Sequence, residues 1–593
     1  MPDWQNLPSW CVLDTHFHHG QHFLNTWRHW LDDADRPRVL HYVALCPAAP
    51  TARQLLDAGQ INALLLPLAQ TLANQWFGLL PGFHRFLLSE GRVILTLCVG
   101  DATQSLRQQS FQADAVRLTW PQPQHAAAFD ANVLWSVKAL ARCCRRGTTL
   151  HGQWPAGADT GGWYGHFKQC GFVLASEPPD TLQPAPFELK AHFAPSWTLK
   201  QTRRISTAAL PVQRCAVIGA GLAGASVAAS LSRRGWQVQV LDQAATPAAG
   251  ASGLPVGLVV PHVSSDDCVL SRLSRAGVRL MLQQAQQLLQ EGHDWSASGV
   301  LERQVGGTPQ LPASWPTEGA DWTVAGADAP QYSGRSDLSP GLWHPKGGWL
   351  KPAALVQAWL SLPGVVFQGH ARVCELRKDA GIWHLLDGAG QRLCSAERVV
   401  LANACGVRGL LAKLSAQNKE LADRIHALPT MQGMRGLLSW AQHNNAQEVF
   451  PPFPVNGFSS LVPPIPTEQG LAWFMGSTYQ PEQQAERCDL DNHVRNLEHL
   501  QQLLPTLAKT LETAFTSGTI NAWKNIRCVT TDRLPLVGPL DDGDNPSLWV
   551  CTGLGSRGLS FSVLCAELLA AHWGAEPLPV ATNLAKALDA RRI

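Results

Sequence analysis

Apolar positions along the chain gather in short runs bounded by polar or glycine-rich turns, and these runs alternate with stretches of helical period. Trp10-Cys-Val-Leu13, Val39 to Leu45, Arg92 to Val99 and the weaker Ala113 to Leu118 read as strands. Between the first two, Phe23, Leu24, Trp27 and Trp30 recur at the spacing of a helix with one buried face. Strands spaced by helices predict a parallel α/β sheet with right-handed crossovers. From about Pro184 to Gln213 the chain is rich in proline and basic residues and has no sustained apolar period, which marks a boundary. Beyond it, Cys215-Ala-Val-Ile218 is a strong buried strand, followed by an Ala-rich helix to Arg234 and a second strand, Gln237 to Leu241. Near the far end, Leu548-Trp-Val-Cys551 predicts a strand, then a Gly-rich turn and a helix through Val563, Leu564, Leu568 and Leu569. The predicted organisation is a domain over 1–195, a linker over 196–212 and a second domain over 213–593.

Composition narrows the class. The 593 residues are 45% apolar and 16% charged with a net charge of +2. Disorder needs low hydrophobicity and high net charge, so it is excluded. No run of about 18 apolar residues predicts a membrane span, and the opening Met-Pro-Asp-Trp lacks the features of a signal peptide. The expectation is a cytoplasmic protein with no membrane partner, with a monomer favoured. Fifteen cysteines without C-x-x-C spacing predict reduced, mostly buried thiols in place of a disulfide scaffold or zinc site. Near-neutral charge leaves nucleic-acid contact to local basic patches such as Arg203-Arg204 or Arg142 to Arg146, each of which also reads as a solvated face.

The strongest motif is Gly219-Ala-Gly221-Leu-Ala-Gly224, which follows an apolar strand, opens a helix and is followed by Asp242 after the second strand. Gly219 allows the tight turn, Gly221 lets a pyrophosphate approach the backbone, and Gly224 lets helix and strand pack closely. The helix N-terminus offers N–H groups to the phosphates, and Asp242 suits the ribose hydroxyls. Spacing alone does not separate NAD from FAD. Gly250-Ala251-Ser252-Gly253 supplies a second small-residue loop, and Gly553-Leu-Gly555-Ser556-Arg557-Gly558 opens the last long helix. Cofactor loops at both ends of the second region suit an FAD domain with a substrate part between them.

These residues resemble the glycine oxidase, sarcosine oxidase and D-amino-acid oxidase family of flavoproteins. Met434-Arg-Gly436, Gly476-Ser-Thr-Tyr479 and the stretch from Ile526 to Gly538 continue the match. More narrowly, the whole chain is similar to the MnmC family, two-domain bacterial enzymes that finish 5-methylaminomethyl-2-thiouridine at the tRNA wobble position. The resemblance implies a Rossmann-like methyltransferase-type domain followed by a D-amino-acid-oxidase-like FAD domain. The FAD-binding segments would span about 213–265, 335–410 and 520–593, with an inserted α+β substrate domain. It implies noncovalent FAD, tRNA as partner, and oxidative removal of the carboxymethyl group from 5-carboxymethylaminomethyl-(2-thio)uridine.

Arg527 matches the arginine with which related oxidases hold a substrate carboxylate; Arg557 would steady the reduced, anionic flavin, with Tyr479 and Arg435 as further candidates. The cofactor set on this reading is Gly219, Gly221, Gly224, Asp242, Ala251, Ser252, Gly253, Gly555, Ser556 and Gly558. No metal is expected: Asp14, His16, His18 and His19 read as a solvated loop before they read as ligands.

The first domain departs from the family pattern. Where the family has alternating glycines after the first strand, this chain has Asp14-Thr-His-Phe-His-His-Gly20, and only Gly20 remains. Each replaced glycine puts a Cβ in the path of a ligand. The second strand ends at Cys46 where the family has glutamate, and Thr119, within Leu118-Thr-Trp-Pro121, stands about where its aspartate belongs. S-adenosylmethionine binding and methylation are therefore expected to be lost, the domain persisting as a docking platform. Alternatives kept open are a full bifunctional enzyme, an oxidase of free small amines such as glycine or sarcosine, and a flavin-bearing RNA-binding scaffold without turnover.

Overall fold

The computed structural model describes residues 4–5, 7–119, 133–154, 161–175, 187–198, 212–303, 310–326, 341–417, 419–444, 449–542 and 545–592. Trp120, Pro121, Arg203, Arg204 and most of the expected linker (199–211) lie outside them. The chain divides into two compact units. One comprises Met1–Pro211, Arg233–Gly235 and Ala570–Ala585; the other comprises Val212–Ser232, Trp236–Leu569 and Lys586–Ile593.

The first unit is built on an eight-stranded sheet. Its strands are β1 (Ser9–Asp14), β2 (Val39–Cys46), β3 (Gly82–Leu88), β4 (Val93–Val99), β5 (Ala113–Leu118), β6 (Cys144–Trp154), β7 (Phe172–Leu174) and β8 (Phe187–Phe193), in the order β3-β4-β2-β1-β5-β6-β8-β7. All eight residues of β2 are buried because both faces of the sheet are covered. Alternate residues of β2 feed two separate cores: Val43 and Leu45 pack in one, Leu40, Tyr42 and Ala44 in the other. Helix α1 (Gln21–Asp32) covers the second with Phe23, Leu24, Trp27 and Trp30.

The expected all-parallel sheet needs correction at its edges. The strands from β4 through β6 pair in parallel, but β3 runs antiparallel to β4, and β8 antiparallel to both β6 and β7. Only Ser89 to Arg92 separate β3 from β4, too few residues for a parallel crossover. Ser89, Glu90 and Gly91 all take positive φ to make the turn.

The C-terminal segment completes this unit. Gln109 exchanges two hydrogen bonds with the Leu578 backbone (3.1 and 2.9 Å), and the Arg85 guanidinium donates to the Pro577 carbonyl. Glu576 and Arg234, each 6% exposed, form a multiply hydrogen-bonded pair at 2.8 to 3.0 Å, with His41 Nε2 3.5 Å from the same carboxylate.

The second unit opens with β9 (Arg214–Ile218), α2 (Leu222–Arg233) and β10 (Gln237–Leu241). With β11 (Val365–Gln368), β12 (Arg398–Leu401), β13 (Leu536–Pro539) and β14 (Leu548–Thr552) they form a six-stranded sheet, ordered β11-β10-β9-β12-β14-β13. All pairs are parallel except β13 with β14. Strand order reverses beside β9, so the carboxyl ends of β9 and β12 flank a crevice suited to a ligand. A second, nine-stranded mixed sheet pairs Met431–Trp440 with the whole of Asn521–Thr530. Among the described residues no helix is long and apolar enough to cross a membrane.

Candidate active site

Gly219 adopts φ 107°, where a Cβ would sit 2.7 Å from the Ala402 carbonyl oxygen and 2.8 Å from the Asn403 Cα. A Cβ on Gly224 would run into the Gly219 carbonyl, and one on Gly221 would lie 2.8 Å from Ser252 Oγ. The turn is thus closed from behind and presents backbone to the crevice. Ser252 Oγ accepts from the Leu222 N–H at 2.9 Å, so the Gly250–Gly253 loop caps α2. Asp242 braces the turn: Oδ2 accepts from Ala220 N at 2.7 Å and Oδ1 from Ala244 N at 2.9 Å. Each carboxylate oxygen retains a second lone pair for a ligand hydroxyl.

These elements open onto a cleft of about 1460 Å³, above the ~300–1,000 Å³ of most single-ligand pockets. It has room for a dinucleotide and a substrate together. Of the expected residues, Gly219, Gly221, Asp242, Ala251, Ser252, Gly555, Ser556 and Gly558 line it, as do Tyr479, Arg527 and Arg557. Gly224 and Gly253 are not in the lining; each sits behind it, Gly253 against the Ala248 carbonyl. The residues present fit a dinucleotide cofactor. Besides the glycine cradle, Asn403 Oδ1 is buried beside the turn with no hydrogen-bond partner among the described residues.

Arg527 is fixed by three contacts. Its Nη2 donates to the Thr478 carbonyl at 2.8 Å, its Nη1 to Ser556 Oγ at 3.2 Å, and its guanidinium lies 5.0 Å from the Tyr479 ring centre. A Cβ on Gly436 would collide with that guanidinium, which explains the glycine in an otherwise regular strand. Arg557 makes no side-chain hydrogen bond or ion pair among the described residues. Burial and the nearby Arg533 pull its pKa below that of a free arginine, with Glu302 and Tyr479 opposing. With Arg372, Lys413 and Arg533 also lining the cleft against Asp242 and Glu302, the site favours anionic ligands. Arg435 is used elsewhere: its Nη1 donates to the Glu482 carbonyl at 2.7 Å and the Gln484 carbonyl at 3.1 Å, and it does not line the cleft.

Sequence reasoning missed Glu302, His262 and Asn403, all of which line the cleft. Glu302 Oε2 lies 3.2 Å from His344 Nε2, and His344 Nδ1 lies 3.0 Å from Thr323 Oγ1. His262 Nδ1 pairs with Ser271 Oγ at 3.0 Å, and burial lowers its pKa. No motif marks these residues: Glu302 is set by His344 from a distant segment, and a lone histidine or asparagine carries no spacing signal.

In the first unit, the switch point between β1 and β5 is stitched shut. Thr15 N donates to the Arg117 carbonyl (3.0 Å) and Thr119 N to Thr15 Oγ1 (2.9 Å), while on the β2 side Phe17 N donates to the Leu45 carbonyl (2.8 Å). Asp14 is buried and accepts from Tyr42 OH (2.6 Å) and His16 N (3.1 Å); burial drives its pKa up to about 6. A small cavity of about 270 Å³ opens at His18, His19, His22 and Asp57. Burial lowers His18 and His22 to about 4. Among the described residues, no three His, Cys, Asp or Glu side chains converge on a metal position.

Residues 214–572 match the family model described as FAD dependent oxidoreductase. The chain is 52% identical to a protein of Albidiferax ferrireducens named tRNA 5-methylaminomethyl-2-thiouridine biosynthesis bifunctional protein MnmC, covering 99% of this chain and 94% of that one. A protein of the same name from Polaromonas naphthalenivorans is 46% identical, covering 99% and 90%. Among solved structures, glycine oxidase from Geobacillus kaustophilus aligns with a TM-score of 0.46 at 18% identity, covering 62% of this chain and 96% of that one.

Proposed function

The chain belongs to the FAD dependent oxidoreductase family and, over its whole length, to the MnmC family, and from that premise we propose that it oxidises 5-carboxymethylaminomethyl-(2-thio)uridine in tRNA. The product is 5-aminomethyl-(2-thio)uridine. The observation that carries this reading is the Arg527 fork, held between the Tyr479 loop and the Ser556 turn in a cationic cleft beside a dinucleotide cradle. The substrate is an N-substituted glycine, and Arg527 can take its carboxylate in bidentate fashion with the N–H groups its protein contacts leave free. Bound FAD supplies an acceptor for the hydride lost from the glycine methylene. Water then adds to the resulting imine, and the carbon–nitrogen bond breaks to release glyoxylate and the aminomethyl nucleoside.

The backbone N–H groups at the start of α2 would hold the pyrophosphate, Asp242 a ribose hydroxyl and Asn403 a further polar group of the FAD. Arg557 and Tyr479 close the substrate end. The partner on this reading is tRNA and the compartment the cytoplasm. On this reading residues 1–195 carry the methyltransferase-like domain and 213–593 the oxidoreductase, with Arg233–Gly235 and Ala570–Ala585 lent to the first unit.

The relatives' printed name says "bifunctional", yet this chain's switch point argues for one activity. Its turn has lost the glycines, and Thr15 bridges to Thr119 across the crevice. On this reading S-adenosylmethionine is not a cofactor of this chain.

The test is mass spectrometry of wobble nucleosides from undermodified tRNA incubated with the purified flavoprotein, with and without S-adenosylmethionine. The expected outcome is loss of the carboxymethyl group and no later methyl gain. Methyl gain restores the bifunctional reading. Turnover of free glycine or sarcosine alone makes it a small-amine oxidase, and tRNA binding without turnover a scaffold.

A further inference from the structure

Glu302 ends the short strand Val300–Glu302 on the cleft wall, with His262, His344 and Arg557 as the charged or titratable groups around it. His344 and Thr323 behind it are fully buried. Because a carboxylate only accepts, His344 Nε2–H donates to Glu302 Oε2 at 3.2 Å, which leaves His344 Nδ1 to accept from the Thr323 hydroxyl at 3.0 Å. The chain Thr323–His344–Glu302 therefore fixes both the histidine tautomer and the carboxylate plane. Burial alone would raise the Glu302 pKa, but the His344 hydrogen bond, with the positive charge of Arg557 nearby, outweighs it and holds the carboxyl below its usual value. Only one carboxylate oxygen is used. Oε1 has no hydrogen-bond partner among the described residues, and the side chain is 21% exposed. A fixed carboxylate with one open oxygen on a ligand-facing wall offers an acceptor to a ligand that brings an N–H or O–H donor.

We propose that Glu302 is a positioning residue that accepts the ring N3–H of the substrate uracil, which sets the base opposite the Arg527 carboxylate clamp. This rests on the reading given above. That substrate has two N–H donors outside the ribose, the amine and the ring nitrogen. An ionised carboxylate placed on the amine would favour its protonated form, and hydride leaves only from the neutral amine. The ring N–H carries no such conflict, and hydrogen bonds to a base edge are how an extruded base is read.

The experiment compares the nucleoside 5-carboxymethylaminomethyluridine with its N3-methyl and amine-N-methyl derivatives on the wild-type holoenzyme and on Glu302→Gln. The wild type should lose about 10- to 100-fold in kcat/KM on N3-methylation, the size of one hydrogen bond to a charged group. Glu302→Gln should shrink that ratio to within about threefold at unchanged flavin content. Binding of 5-carboxymethyluridine and its N3-methyl form, followed by tryptophan fluorescence, should show the same loss of discrimination without any turnover. Wild-type indifference to N3-methylation overturns the proposal with no need for a variant that folds. Discrimination against the amine-N-methyl derivative that Glu302→Gln abolishes moves Glu302 to the amine and overturns it too. N3 discrimination in binding with no oxidation of the parent nucleoside supports Glu302 and overturns the reaction assigned above.

Discussion

Replacing Arg527 with lysine keeps a cation in the cleft and removes the fork. The guanidinium has five N–H groups; two are committed to Thr478 and Ser556, so three remain, enough for two parallel bonds to a carboxylate. A lysine ammonium, a point donor on a flexible stem, replaces at most one of the two. Loss of one charge-assisted hydrogen bond costs about 1.5–3 kcal/mol, or roughly 10- to 150-fold at about 1.4 kcal/mol per decade. Arg527→Met removes both bonds and should cost roughly the square of that factor. Steady-state glyoxylate release measures kcat/KM on the carboxylate substrate and on its carboxamide, which has no anionic group to clamp. The wild type should prefer the carboxylate strongly, and each variant should lose that preference in proportion to its loss of rate. The flavin absorbance of each variant reports whether the loosened Ser556 turn has disturbed the cofactor. Retention of the carboxylate preference in Arg527→Met, with flavin bound, would refute the clamp.

Three further outcomes are expected. Gly224→Ala drives a methyl group into the Gly219 carbonyl, so the protein should purify with less than a tenth of the wild-type flavin while the first unit's far-UV signature persists. Glu576→Gln removes a carboxylate charge from the buried Arg234 pair, which should destabilise the fold by about 3–5 kcal/mol in urea titration. Burial alone would raise the Glu576 carboxyl, but Arg234 and His41 outweigh it and hold it well below the usual range. Its stabilisation is therefore complete above about pH 4.3, the unfolded carboxylate value, and is lost as pH falls toward the folded value; the variant should lack that slope. Isothermal titration of the full chain with S-adenosylmethionine should show no micromolar binding, and a saturable micromolar isotherm would reverse the reading of the first unit.

The nucleotide half of the cleft was legible because its requirements are local. The turn Gly219–Gly224, its flanking strands and Asp242 lie within one βαβ unit, and Gln237–Leu241 was read to the residue. Asp242 shows the limit of that reading, since it also braces the turn through Ala220 and Ala244. Glu302 was not legible. Its open oxygen matters only because His344, itself held by Thr323, occupies the other one, and no pattern in Val300–Glu302 announces that. The edge strand β3 was missed because its polar Gly82-Phe-His-Arg85 start gives no clean alternation. Arg435 looked like a site residue by motif but is drawn to the carbonyls of Glu482 and Gln484.

The completion of the first unit by Ala570–Ala585 bears on how the chain is made. Arg85 waits for an acceptor 492 residues further on, which at about 5–20 residues per second is roughly 25–100 s of synthesis. Throughout that interval a guanidinium destined for full burial has no partner at Pro577, and Gln109 none at Leu578. The first unit thus begins to emerge before the second, yet it is complete only when Ala570–Ala585 has been made. A nascent chain stalled short of residue 570 should leave it open to protease, and release of the full-length chain should close it.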